Sequence, residues 1–256
     1  MNGIWHVAIS TVACFLLWNK EGNRLLFHIK TEDPNNFFSC STKCVAESNA
    51  YFIVTADCEG NLYSICCNKS VYFDEKIGKV EKGFPCSMAS DEKNFLLIIG
   101  LNFGNLIIYH AKSPNSIQKM KEVEVFQNVS FPINCLEVLF GGPNLKLAIV
   151  GLPNGCLIGY DLPNLNKRFS MQGHARSITG LTIHPTRCVF ASVSEDTYLN
   201  IYEISENNKK IDISIIKSLK VENGQLTGVV FLPPTFCSIA AVSYDLKNIN
   251  VWNNVI

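Results

Sequence analysis

Residues 173–203 read GHARSITGLTIHPTRCVFASVSEDTYLNIYE. Three short runs inside this stretch, Ile178–Ile183, Val189–Ser194 and Thr197–Tyr202, alternate apolar with small or polar residues and are rich in β-branched and aromatic side chains. That is the signature of strands joined by tight turns. The last two runs define a unit: an apolar strand, a turn carrying Gly, Asn or Asp, and a second strand closing on a large residue. The unit recurs as Tyr51–Asp57 with Gly60–Ile65, Phe95–Gly100 with Gly104–Tyr109, Leu147–Gly151 with Gly155–Tyr160, and Ser238–Ser243 with Lys247–Trp252. The N-terminus fits the same frame, with Ile4–Ser10 and Cys14–Trp18. The closing residues Trp18, Ile65, Tyr109, Tyr160, Tyr202 and Trp252 follow one another at intervals of 42 to 51 residues.

Two weaker strands fit between successive closing residues, such as Arg168–Met171 and Ile178–Ile183. Four strands in about 40–50 residues make one propeller blade. The predicted fold is therefore all-β: a β-propeller forming a single domain over 1–256. An N-terminal half-blade (1–18) precedes five full four-stranded blades at about 19–65, 66–109, 110–160, 161–202 and 203–252. Such a ring is incomplete, the chain being a shortened form of a longer propeller. Its open strand edges predict self-association or poor solubility. Gly60, Gly104 and Gly155 supply the positive φ that tight hairpins require. No 3.6-residue period persists, which argues against an α/β fold.

Composition narrows the function classes. The chain has 256 residues, of which 47% are hydrophobic and 17% charged, so it buries a substantial core and is not disordered. Its formal net charge is zero, without the basic excess of a nucleic-acid binder or a polybasic membrane anchor. Eleven cysteines are scattered through apolar runs, with no C-x-x-C pair, and the adjacent Cys66 and Cys67 are too close for an ordinary staple. They read as buried thiols of a reducing compartment, hence an intracellular, cytoplasmic protein, and not as a zinc site. The apolar segment Trp5–Trp18 has no preceding Lys or Arg and reads as a strand pair rather than a leader. No run is long enough to span a bilayer as a helix.

The stretch Gly173-His174, Ile178–Leu181, His184-Pro185, Ser192–Asp196 and Leu199–Glu203 resembles a WD repeat, with Tyr202-Glu203 where the Trp-Asp pair would stand. The resemblance is best over about residues 145–250. It implies a structural hydrogen-bonded tetrad of His174, Ser192, Asp196 and Tyr202, with Ser194 as an alternative to Ser192 on the same face of the strand. A buried His and Asp must find partners, since an unpaired polar group costs about 1–3 kcal/mol. A structural role is favoured over a catalytic His–Asp dyad. Asp57 and Asp245 keep the turn acid in other repeats, Asn102 replaces it in one, and only Asn154 lies nearby in another.

The resemblance further implies a non-catalytic protein-interaction scaffold or adaptor whose partners are other proteins. It implies no enzyme activity, cofactor, metal, nucleic-acid partner or integral membrane insertion. Candidate partner-binding residues are Arg176 and Ser177, with Phe131 (followed by Pro132) at the equivalent spot one repeat earlier. Two alternatives belong to other classes. A propeller hydrolase with an axial metal site needs converging carboxylates or histidines, and the chain has only five His. A ubiquitin-ligase substrate receptor often carries Arg two residues after the Trp-Asp pair, and Tyr202–Ser205 and Tyr160–Pro163 lack it.

Overall fold

The computed structural model describes all residues except 1–5, 12, 13, 32, 34, 69, 70, 127, 128, 142–144, 209 and 223. Ile4 and Trp5, expected to open the first strand, lie outside the described residues. The chain divides into two compact units, Met1–Val125 and Phe126–Ile256.

The first unit holds three antiparallel sheets. One is β1 (His6–Ser10), β2 (Cys14–Asn19) and β3 (Leu25–Lys30). The next is β4 (Phe38–Val45), β5 (Tyr51–Asp57), β6 (Asn61–Asn68) and β7 (Val71–Lys79). The third is β8 (Pro85–Asp91), β9 (Leu96–Leu101), β10 (Asn105–Ser113) and β11 (Ser116–Glu124).

The second unit repeats the plan. Its sheets are β12 (Cys135–Phe140) to β15 (Lys167–Gln172), with β13 (Lys146–Gly151) and β14 (Cys156–Asp161) between. Then come β16 (Ile178–Ile183), β17 (Val189–Ser194), β18 (Tyr198–Asn207) and β19 (Lys210–Lys220). The last sheet is β20 (Leu226–Leu232), β21 (Ser238–Ser243) and β22 (Ile249–Trp252). Each sheet is an up-and-down meander, because every connection within it is a short hairpin.

The expected grouping of strands is corrected. Among the described residues the N-terminal element is a sheet of three strands and not a half-blade of two, and the last blade has three strands and not four. The described residues form six sheets, the first and last three-stranded and the middle four four-stranded. The reason is local. The turn after Asn19 is tight, with Gly22 in the left-handed region at φ 67° and its N–H bonded to the Asn19 carbonyl, so Leu25–Lys30 folds back onto β2. The closing residues Ile65, Tyr109, Tyr160 and Tyr202 therefore sit in the third strand of their sheets, and the strand after each is the outer strand of that same sheet. The register shift between third and fourth strands at Ile201/Tyr202 recurs at Leu17/Trp18. By this mark the first sheet lacks the inner strand, among the described residues, and the last lacks the outer one.

Within each unit, sheets stack through fixed positions. Ala191, Val193, Leu199 and Ile201 of the β16–β19 sheet meet Phe231, Ile239 and Ala241 of the last sheet. One sheet earlier, Ile149 and Leu157 meet Phe190 and Tyr202. In the first unit Val54, Ala56 and Leu62 meet Leu97, Ile99 and Tyr109. Two faces of the pleat serve two neighbours, so both sets of alternating positions are apolar. Each fully buried Leu or Ile contributes about 1.5–3 kcal/mol.

Candidate functional site

The site is built on the turn between β17 and β18 and the loop that enters β16. The turn needs a left-handed residue just before the third strand. Gly60, Gly104 and Gly155 provide it at φ 84°, 84° and 81°; in the fourth repeat Thr197 does so at φ 75°. A β-branched residue there is strained. Gly155 is needed twice over. A Cβ on it would collide with the His174 carbonyl oxygen and come within 2.8 Å of Gln172 Nε2. The same glycine's carbonyl accepts the N–H groups of Gly173 and His174 at 3.0 and 3.1 Å, which places the histidine.

His174 is buried and fully engaged. Its Nδ1 lies 3.0 Å from Asp196 Oδ2 and 3.1 Å from Oδ1, and its Nε2 lies 2.7 Å from Ser192 Oγ. With Asp196 ionised, Nδ1–H donates to it and Nε2 accepts the Ser192 hydroxyl. Burial holds the imidazole pKa below its ordinary value, with Asp196 opposing that shift, so the ring stays neutral near pH 7. Asp196 also takes the N–H of Ala175 at 2.9 Å on Oδ2 and of Tyr198 at 3.0 Å on Oδ1. Tyr202 donates its hydroxyl to the Gly173 carbonyl at 3.2 Å and stacks on Phe190, with centroids 4.7 Å apart. Asn200 donates to the same carbonyl at 3.0 Å. Ser192 is the serine that meets His174; Ser194 instead accepts the Asp196 N–H at 3.1 Å.

The Ser192–His174–Asp196 connectivity is that of a hydrolytic triad, but access is missing. Ser192 has 0% exposure, so no carbonyl substrate can reach its oxygen. Beside it lies an open cleft of about 510 Å³ lined by Ala175, Arg176, Glu195, Asp196, Gly224 and Gln225, among others. Neither Ser192 nor His174 lines it.

Of the three residues predicted to meet a partner, Arg176 is exposed and lines this cleft. Ser177 is half-buried and its hydroxyl accepts from Asn134 Nδ2 at 3.0 Å. Phe131 is half-buried, edge-on against Phe126 at 6.0 Å, and is not among the cleft residues.

Sequence reasoning missed a second polar cluster, in the first unit. Asp57 ends β5 at the position of Ser194, and Glu59 stands where Asp196 does; the turn acid is two residues later than Asp57. Asp57 Oδ2 accepts from Asn36, Asn61 and Tyr63 side chains at 3.0, 2.8 and 3.0 Å. These bonds outweigh its burial and hold the carboxyl below the usual range. Asn61 and Tyr63, at alternate positions of β6, were the legible signal. His184 entered the repeat signature without an assigned role. It is buried edge-on against Phe231 and Phe236, with Nδ1 accepting the Thr186 and Arg187 N–H groups at 3.2 and 3.0 Å.

Among the described residues no group of three or more His, Cys, Asp or Glu could hold a metal ion. No helix among them is long and apolar enough to cross a membrane. Burial pushes the Cys40, Cys44 and Cys135 thiols up to about 12, far from reactive thiolates.

Meandering sheets stacked through repeated positions within each unit give the fold of a β-propeller, and the His–Ser–Asp chain pinning the strand turn of one of them is similar to that of WD repeats. The solved WD40 β-propeller domain of Doa1 has the same fold: TM-score 0.63 at 13% identity, over 84% of this chain and 64% of that one. In sequence, the chain is similar to WD repeat domain 54 of Rattus norvegicus, 27% identical over 111 residues. That match covers 43% of this chain and 33% of the rat protein. WD repeat-containing protein 54 of Mus musculus is 27% identical over 105 residues, 40% of this chain and 31% of that protein. The match thus spans about a third of these relatives. No protein-family profile matches the chain.

Proposed function

We propose that the protein is a non-catalytic interaction scaffold that binds other proteins, with the cleft beside Arg176 as part of its recognition surface. One observation carries this reading. Among the described residues, the His–Asp pair with triad-like connectivity has its polar atoms committed to its own blade, and its serine is sealed from solvent. The neighbouring loops line an open cleft, with Arg176 exposed in it. Rigid sheets presenting loops in this way are suited to recognition. Free cysteines with high pKa fit a reducing, cytoplasmic setting, and neutral net charge speaks against nucleic acid. No observation favours the metal hydrolase or the ubiquitin-ligase receptor.

The test is affinity purification of the chain and of Arg176→Glu, with mass spectrometry and a tag-only control. The expected result is a set of proteins retained by the first and depleted on the second. Equal recovery on both would remove the cleft from the reading, and no proteins above control would remove the scaffold role itself.

A further inference from the structure

We infer that the cleft beside Arg176 takes an extended segment of a partner protein that carries an acidic and a basic side chain two positions apart, the acid facing Arg176 and the base facing Glu195. The inference rests on the reading of the chain as a protein-binding scaffold and names the chemistry of the partner. Both walls of the cleft belong to the second unit. Register makes the sheets of that unit comparable: Cys135, Ile178 and Leu226 lie on their inner strands opposite Gly151, Ser194 and Ser243. The entering loops then align Asn134 with Ser177 and Gln225, and Arg176 with Gly224. Between the first two of these sheets the loops are bridged. Asn134 Nδ2 donates to the Ser177 hydroxyl at 3.0 Å and to the Ile178 carbonyl at 3.2 Å. Between the next two, among the described residues, no side-chain hydrogen bond joins Arg176 or Ser177 to Gly224 or Gln225. The cleft of about 510 Å³ opens there instead, a volume in the range of ligand pockets.

Gly224, standing where Arg176 stands one sheet earlier, sends no side chain over the cleft. A Cβ there would lie 2.8 Å from Ser243 Oγ and 3.1 Å from Val221 Cγ1. The polar lining behind this wall is incomplete. Ser194 accepts the Asp196 N–H at 3.1 Å, whereas the matching Ser243 hydroxyl, in a residue 7% exposed, has no hydrogen-bond partner among the described residues. Charge then decides the occupant. Asp196 is already engaged by His174, Ala175 and Tyr198. Arg176 and Glu195 line the same cleft, one exposed and one half-buried, and neither forms an ion pair with any described residue. The Glu195 N–H bonds the Ser177 carbonyl at 3.1 Å, which holds the two residues on adjacent stretches of backbone. A segment of one sign would set a like charge against one of them, and that selects against it. In an extended chain residues i and i+2 share a face about 7 Å apart, so one segment can present both opposite charges.

The test offers the immobilised 256-residue chain pooled synthetic octapeptides, random except for a central Asp-x-Lys, Lys-x-Asp, Asp-x-Asp, Lys-x-Lys or Ala-x-Ala. Retained peptides are counted by mass spectrometry at neutral pH and low salt. A mixed-charge pool is expected to be retained about tenfold above the three others. Glu195→Lys is expected to move the preference to Asp-x-Asp, and Arg176→Glu to Lys-x-Lys. The double variant Arg176→Glu/Glu195→Lys is expected to return it to a mixed pool. A preference gained, rather than lost, requires a folded protein, so these shifts cannot come from unfolding. Retention that ignores charge, preferences unmoved in the variants, or no retention above bare beads would overturn the inference. Each of those results leaves the scaffold reading to its own test, in which whole proteins are recovered.

Discussion

Asp196→Ala removes the carboxylate that organises the β17–β18 turn, and the structure sets the size of the effect. Three donors lose their acceptor: His174 Nδ1–H, Ala175 N–H and Tyr198 N–H. Ala175 and Tyr198 are exposed and turn to water at little cost. The His174 side chain has 0% exposure, so its Nδ1–H is left buried and unpaired, at about 1–3 kcal/mol. Loss of a charge-assisted bond brings the total to about 2–4 kcal/mol. Ser192→Ala orphans the other ring nitrogen and costs about 1–2 kcal/mol. Because both substitutions act through one imidazole, the double variant should lose less than the two singles combined, with a coupling of about 0.5–3 kcal/mol. Urea unfolding of the four proteins at pH 7.5 measures the cycle; in thermal unfolding Asp196→Ala should fall by about 5–10 °C. Additivity within about 0.3 kcal/mol, or an Asp196→Ala cost below 0.5 kcal/mol, would refute the buried chain as the element that holds this blade.

Gly155→Ala forces a side chain into the left-handed region and against the His174 carbonyl; a loss of about 2–4 kcal/mol is expected in the same urea assay. Thr197→Gly relieves strain at φ 75° and should gain up to about 1 kcal/mol, offset in part by the freer unfolded chain. Burial pushes the Glu137 carboxyl up to about 7. A folded pKa above the unfolded one gives stability that is complete below about pH 4.5 and lost as pH rises through 7. Glu137→Gln should therefore be stabilising at pH 8.5, by about 3 kcal/mol at most, and near neutral at pH 4. His174 and His184 act in the opposite sense. Their folded pKa values are lowered, chiefly by burial, so their contribution is complete above about pH 6.5 and fades as pH falls below it. A His174→Gln chain that kept the full acid sensitivity of the parent would count against that assignment.

Much of this was legible before any coordinates. The strands Tyr51–Asp57, Val189–Ser194 and Ser238–Ser243 fall where alternation puts them, because a pleated strand buried on one or both faces imposes its period on the residues directly. The glycine turns were legible for a similar reason: positive φ is a backbone demand that few residues meet. Less was visible where the partner is remote in sequence. Ser192 and Ser194 share a face, and only the 2.7 Å approach of His174 separates their roles. Arg176, Ser177 and Phe131 looked alike as loop residues, yet one lines the cleft and two are held by Asn134 and Phe126.

The sequence by itself determined the all-β character, the repeated hairpin with its closing aromatic or aliphatic residue, and the polar residues of the fourth repeat, all of them consequences of short-range periodicity and turn chemistry. Only the tertiary structure decided which hairpins share a sheet, which serine the histidine meets, and which loop residues line the cleft. Those outcomes depend on pairing register and sheet stacking between residues far apart along the chain, and an alternating pattern is equally compatible with a strand covered on both faces or on one.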